Sequence, residues 1–117
     1  MRVMRKGIAC LSALLFCSQL AIAQDARWQE IEQHAKGQTV WFNAWGGDSA
    51  VNNYLDWVRD EVKRNYAINL RIVHIADAAD TVKRIQTEAK AGRTTGGSVD
   101  LLWVNGENFR TLKEGGL

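Results

Sequence analysis

Two short stretches of this 117-residue chain bring together residue types that can hold a small molecule: Trp45-Gly46-Gly47-Asp48-Ser49 and Asn105-Gly106-Glu107-Asn108. Paired glycines let a backbone come close to a ligand, and a helix that opens after them presents N–H groups with no intrahelical partner. Such helix ends attract anions. The carboxylates of Asp48 and Glu107 pull the other way, toward cationic or hydroxylated ligands, and the Trp45 indole can stack on a ring or a cationic group. Each residue also has an ordinary structural use. Glycine pairs make turns, Asp48 or Ser49 can cap a helix, and Trp45 can pack.

Catalysis has little to work with. His34 and His74 are isolated, and both read as surface or packing residues outside the two loops. Neither sits in a His-Glu-x-x-His pattern or a Cys/His cluster, so no metal site is indicated and no cofactor is called for. Ser49 lacks the second glycine of a nucleophile elbow. A glycine-rich dinucleotide fingerprint and a P-loop lysine are both missing from the sequence. The chain is therefore not expected to be an enzyme by itself.

The elements that must position the two loops alternate. Asp25 can cap a short helix with Trp28, Ile31 and Ala35 on one face, ended by Gly37. Residues 39–44 form an apolar run on both alternating faces, as a strand covered on both sides does. Val51, Tyr54, Leu55, Val58 and Val62 then recur at helical spacing up to residues 65–67, and residues 68–75 alternate as a second strand. Asp77 and Asp80 resemble a capping box, with Asp where Glu is usual. Ala78, Val82, Ile85 and Ala89 make the next helical stripe, Asp80 stands four residues before Arg84, and Gly92 closes the helix. A loop over 93–98, a third strand over 99–104 and a short helix through Phe109 and Leu112 to Gly115-Gly116 complete the series.

Strands alternating with helices mean βαβ units and a parallel sheet. Right-handed crossovers allow the orders 1-2-3 and 2-1-3. Strand 2 carries polar Asn69, Arg71 and His74 and suits an edge, which favours 2-1-3 with helices on both faces, the start of a three-layer α/β fold. A crevice then opens at the carboxyl ends of strands 1 and 3. The two loops border it. Strand 3, nearly all apolar, is left as an open edge that invites pairing with other chains.

The first 23 residues are organised differently. Arg2, Arg5 and Lys6 form a basic head, Gly7–Leu20 is a mostly apolar run, and Ala21-Ile22-Ala23 offers small residues at a cut before Gln24. That is the build of a secretory signal peptide, and its run of about 14 residues is short of the roughly 20 that a span needs. Cys10 and Cys17 lie inside it without the flanking residues of a lipid-anchor site, so residues 24–117 reach an oxidising compartment with no disulfide to rely on. Removing the leader also leaves twelve basic against thirteen acidic side chains, which is no footprint of a nucleic-acid binder.

Residues 38–48 (Gln-Thr-Val-Trp-Phe-Asn-Ala-Trp-Gly-Gly-Asp) and 98–109 (Ser-Val-Asp-Leu-Leu-Trp-Val-Asn-Gly-Glu-Asn-Phe), behind a signal peptide, resemble the start of an extracellular solute-binding protein of the type II class, in particular an enterobacterial member. The likeness covers nearly all of residues 28–117. It implies the first of two α/β lobes that close on a solute, a role as the periplasmic binding component of an ABC importer, and two partners: a small-molecule solute and a permease in the inner membrane. It also implies ligand contact from Trp45, Gly46, Gly47, Asp48, Asn105, Gly106 and Glu107. Members of the class run to several hundred residues, so residues 24–117 would be the N-terminal part of the first lobe, without the second lobe and the hinge, and are not expected to be competent alone. The alternatives are the N-terminal part of a periplasmic α/β enzyme with catalytic residues further on, or a small adaptor. The leader supplies the first test. Residues 1–30 fused to a reporter active only outside the cytoplasm should give activity, with Gln24 as the new N-terminus by mass spectrometry. An uncut, membrane-retained fusion would contradict export.

Overall fold

A computed structural model describes residues 26–117. The leader, both cysteines and the Asp25 cap lie outside the described residues. Two compact units divide the chain. The first includes helix α1, residues 26–35, and the second is Gly37–Leu117.

In the second unit β1 (Thr39–Trp45), α2 (Ser49–Tyr66), β2 (Asn69–Ile75), α3 (Ala78–Lys90), β3 (Leu101–Leu102) and α4 (Gly106–Glu114) follow in turn. The sheet is parallel throughout and ordered β2-β1-β3, as the polar content of strand 2 predicts. β1 pairs along its whole length with β2, from Thr39 opposite Asn69 to Trp45 opposite Ile75. Its other edge pairs Phe42 with Leu101 and Asn43 with Leu102. The connections through α2 and α3 run in opposite directions across the sheet, and the right-handed rule for such crossovers places the two helices on opposite faces. α2 packs on β2, while α3 packs on β1 and α4. The buried positions sit at the centre: Asn43 and Ala44 of β1, Leu55 of α2, Leu70 of β2, and Thr81 and Val82 of α3. Asn43 and Thr81 are buried without a protein partner for their side-chain polar atoms, each a cost of about 1–3 kcal/mol.

Three expectations change in detail. The third strand covers two residues of ladder rather than 99–104. The bonds from Asp100 N to Trp41 O (3.0 Å) and from Trp103 N to Asn43 O (2.9 Å) bracket it. On that side the Asp100 carboxylate also accepts the Trp41 N–H at 2.8 Å, so a side chain does part of what a longer strand would do. Tyr54 leaves the apolar stripe of α2: it is 60% exposed and lies against the Trp57 ring, centroids 5.7 Å apart. At 3.6 residues per turn it falls roughly 70° to the side of the line through Val51, Leu55, Val58 and Val62. The Asp77/Asp80 box does not close. Asp77 accepts the Ala79 N–H at 2.8 Å, whereas Asp80, one methylene shorter than the usual Glu, is 3.9 Å from Lys83 instead of pairing with Arg84.

The connection into β3 is tied to α3. Glu88 Oε2 accepts the Ser98 N–H at 3.1 Å, and hydrogen bonding from Ser98 lowers the Glu88 carboxyl from its ordinary value. α2 ends at Ala67, whose backbone is left-handed at φ 56° while its N–H bonds to Lys63 O at 3.0 Å and its carbonyl accepts the Gly37 N–H at 2.9 Å. A non-glycine residue there carries about 1–2 kcal/mol of strain. Glycine relieves it but gains unfolded-chain entropy, so Ala67→Gly should stabilise by a net of about 0.5–1 kcal/mol in urea unfolding. A loss of stability would show that the turn is not left-handed.

Candidate functional site

Because all strands run the same way, their carboxyl ends and the N-termini of α2, α3 and α4 gather at one end of the sheet. A cleft of about 360 Å³ opens there, lined by Trp45, Ile75, Ala76, Asp77, Ala78, Trp103 and Asn105. Its volume lies in the range of small-molecule sites. Each strand end contributes. β1 supplies Trp45, β2 and the start of α3 supply Ile75 to Ala78, and Trp103 and Asn105 come from the chain between β3 and α4. A second hollow of about 310 Å³ adjoins it through Trp45, Ile75 and Ala76, and adds Gly46, Gly47 and His74.

The two glycines have separate reasons to be there. A Cβ on Gly46 would come within 2.7 Å of the His74 Cβ, so the chain could not pass β2 as closely with any other residue. That passage is fixed by bonds from Gly46 N to Ile75 O (3.1 Å) and from Asn52 Nδ2 to Gly46 O (3.0 Å). A Cβ on Gly47 would run into the Trp45 indole, so the ring lies folded over its own loop. Trp45 is 45% exposed and Trp103 46%, each with ring surface open to solvent.

The acidic and amide side chains at this end are mainly engaged as caps. Asp48 Oδ1 accepts the Val51 N–H at 2.9 Å and closes the start of α2. Asn105 Oδ1 accepts from the Asn108 side-chain amide at 3.0 Å and, at 3.4 Å, from its backbone N–H. Gly106 opens α4, and Glu107, in its first turn, accepts from Arg110 Nη2 at 2.9 Å.

Of the residues that stand out in the sequence, Trp45 and Asn105 line the main cleft, and Gly46 and Gly47 line the adjoining hollow. Asp48, Gly106 and Glu107 line neither. Ile75, Ala76, Asp77, Ala78 and Trp103 join the cleft without standing out as candidates in the sequence, and His74 lies beside it rather than away from it. A signal for them exists: in a 2-1-3 sheet the loop after strand 2 ends at the same level as the other two, and Asp77 reads as a cap at that level. A helix cap replaced by alanine costs about 1 kcal/mol. Asp48→Ala should therefore lower unfolding free energy by about that amount, and Asp48→Asn should retain most of it. An unchanged stability in Asp48→Ala would leave the side chain free for a ligand instead.

No protein-family model matches the chain, and no solved structure matches it. Protein YnjB of Escherichia coli strain K12 is 79% identical to it over 90 residues, a stretch that takes in 77% of this chain and 23% of YnjB. The chain thus spans less than a quarter of the length of the curated relative it matches.

Proposed function

We propose that this chain is the N-terminal part of the first lobe of a type II solute-binding protein, the component of an ABC importer that captures a small solute in the periplasm and presents it to a permease in the inner membrane. The observation that carries the reading is the cleft at the carboxyl ends of the strands, where a 2-1-3 sheet has its switch in strand order and where open α/β sheets bind ligands. Its lining suits capture rather than conversion. Two indoles, short aliphatic groups and backbone give contact area, and Asp77 and Asn105 give orientation. The length of YnjB, more than four times the matched stretch, leaves room for a second lobe to close over the solute.

A solute held by one lobe binds weakly, so saturation-transfer NMR is the suitable measurement. With the chain purified from the periplasm and a mixture of small polar and aromatic solutes, transfer should reach a subset of them. It should be lost in Trp45→Leu with Trp103→Leu, with the melting temperature little changed. Transfer to no solute, or the same transfer in the double variant, would contradict a solute site at this cleft.

A further inference from the structure

We infer that the cleft selects an organic cation, a solute bearing a quaternary or otherwise alkylated ammonium group, held by the faces of Trp45 and Trp103 beside the Asp77 carboxylate. The inference rests on the reading of the cleft as the solute site and names the class of solute.

The first support is the lining itself. Two half-exposed indoles stand in one small cleft, and the face of an indole attracts a cation within about 6 Å of the ring. Among the described residues no lysine or arginine lines either hollow. Asp77 is the one charged side chain in the main cleft. Only its Oδ1 is taken, by the Ala79 N–H, and it has no ion-pair partner among the described residues.

The second support is independent of the lining and comes from the charge layout. At the cleft end of the sheet stand Asp48, which caps α2, Asp77 and Asp80 at the start of α3, and Glu107 in the first turn of α4. Lys63 and Arg64, Lys90 and Lys113 occupy the last turns of the same three helices, at the far end. Other cations sit along the elements rather than at their far ends. Arg59 pairs with Asp56 and Asp60, Lys83 stands 3.9 Å from Asp80, and Arg110 pairs with Glu107. Arg71 and Arg84 belong to β2 and mid α3, and none of these cations lines the cleft. Among the described residues Asp48 and Asp77 have no counter-cation, and they offset the partial positive charge of the helix starts. A free anion at the cleft would meet those carboxylates. A soft cation meets both them and the indole faces. A compact inorganic cation gains less, since it keeps its water and has no apolar surface to lay on the two rings.

The test uses the whole chain labelled with 5-fluorotryptophan, each ¹⁹F signal assigned by a Trp→Phe variant, in a buffer of constant ionic strength. Tetramethylammonium, titrated to tens of millimolar, should shift the Trp45 and Trp103 signals saturably and leave Trp41 and Trp57 in place. tert-Butanol, a neutral probe of similar size, and inorganic phosphate should not. Asp77→Asn, which keeps a capping side chain, should weaken the tetramethylammonium response about threefold, as expected for loss of an exposed charge partner. Saturable shifts of the same two signals by tert-butanol or phosphate, equal to those from tetramethylammonium, would overturn the cation preference while leaving a solute site at the cleft. An unchanged tetramethylammonium response in Asp77→Asn would overturn it in the same way. Shifts from none of the three probes would overturn the site as well.

Discussion

The rest of the structure depends on β1 being paired along both of its edges. Its seven residues run beside β2 without a break in register, while Phe42 and Asn43 pair outward with β3. The strand is enclosed where its two edges are both paired: Asn43 and Ala44 have no exposed surface, while Trp41 just before them and Trp45 at the strand end stay exposed. The central position also sets where the chain turns. After β1 it crosses to one side and after β2 to the other, and the switch between those directions falls between β1 and β3 at their carboxyl ends. The cleft is a consequence of that switch rather than of any single loop.

What the cleft can offer is limited by the work the same loops do for the helices. Three helices start at this end, and three polar side chains, Asp48, Asp77 and Asn105, bond to their first free N–H groups. A helix start left bare would attract an anion. With one N–H of each helix start answered and acids added in the first turns of α3 and α4, the same end gains negative character. The indoles supply contact area that needs no polar partner, and Gly47 lets one of them, Trp45, fold over the loop. Stability and recognition thus draw on the same few residues, divided between carboxylate and ring.

Strand order and helix spans are legible in the sequence because each rests on repeated, local signals. The polar residues Asn69, Arg71 and His74 mark β2 as an edge, and apolar spacing with a cap marks α2 and α3. Long-range placement is less legible. Asn43 reads as an outlier in an apolar run, yet it is completely buried beside the sheet centre, with its amide unpartnered by protein groups. Tyr54 fits an i, i+3 spacing but lies past the edge of the buried face. Trp103 reads as core of a third strand, whereas β3 is over by Leu102 and the indole is left at the cleft. In each case the deciding fact is which element packs opposite, which spacing along one strand or helix does not contain. The N-terminal half of the crevice, Trp45 to Gly47, is legible because a glycine pair after an apolar run marks a strand end. The share of β2 is less direct: the switch point lies between β1 and β3, and only the common level of the parallel strand ends, with the Asp77 cap, points to it.

Amide hydrogen exchange resolved to single residues tests the central role of β1 most directly. Exchange from a folded chain requires opening of the pairs that hold an amide, and the slowest amides belong to the elements enclosed on all sides. Amides from Phe42 to Trp45 should be the slowest to exchange in the sheet, with β2 intermediate and Asp100 to Trp103 on the β3 edge exchanging sooner. If the β1 amides exchange as fast as those of the β3 edge, the strand is not the doubly paired centre of the sheet, and the cleft built on that arrangement falls with it.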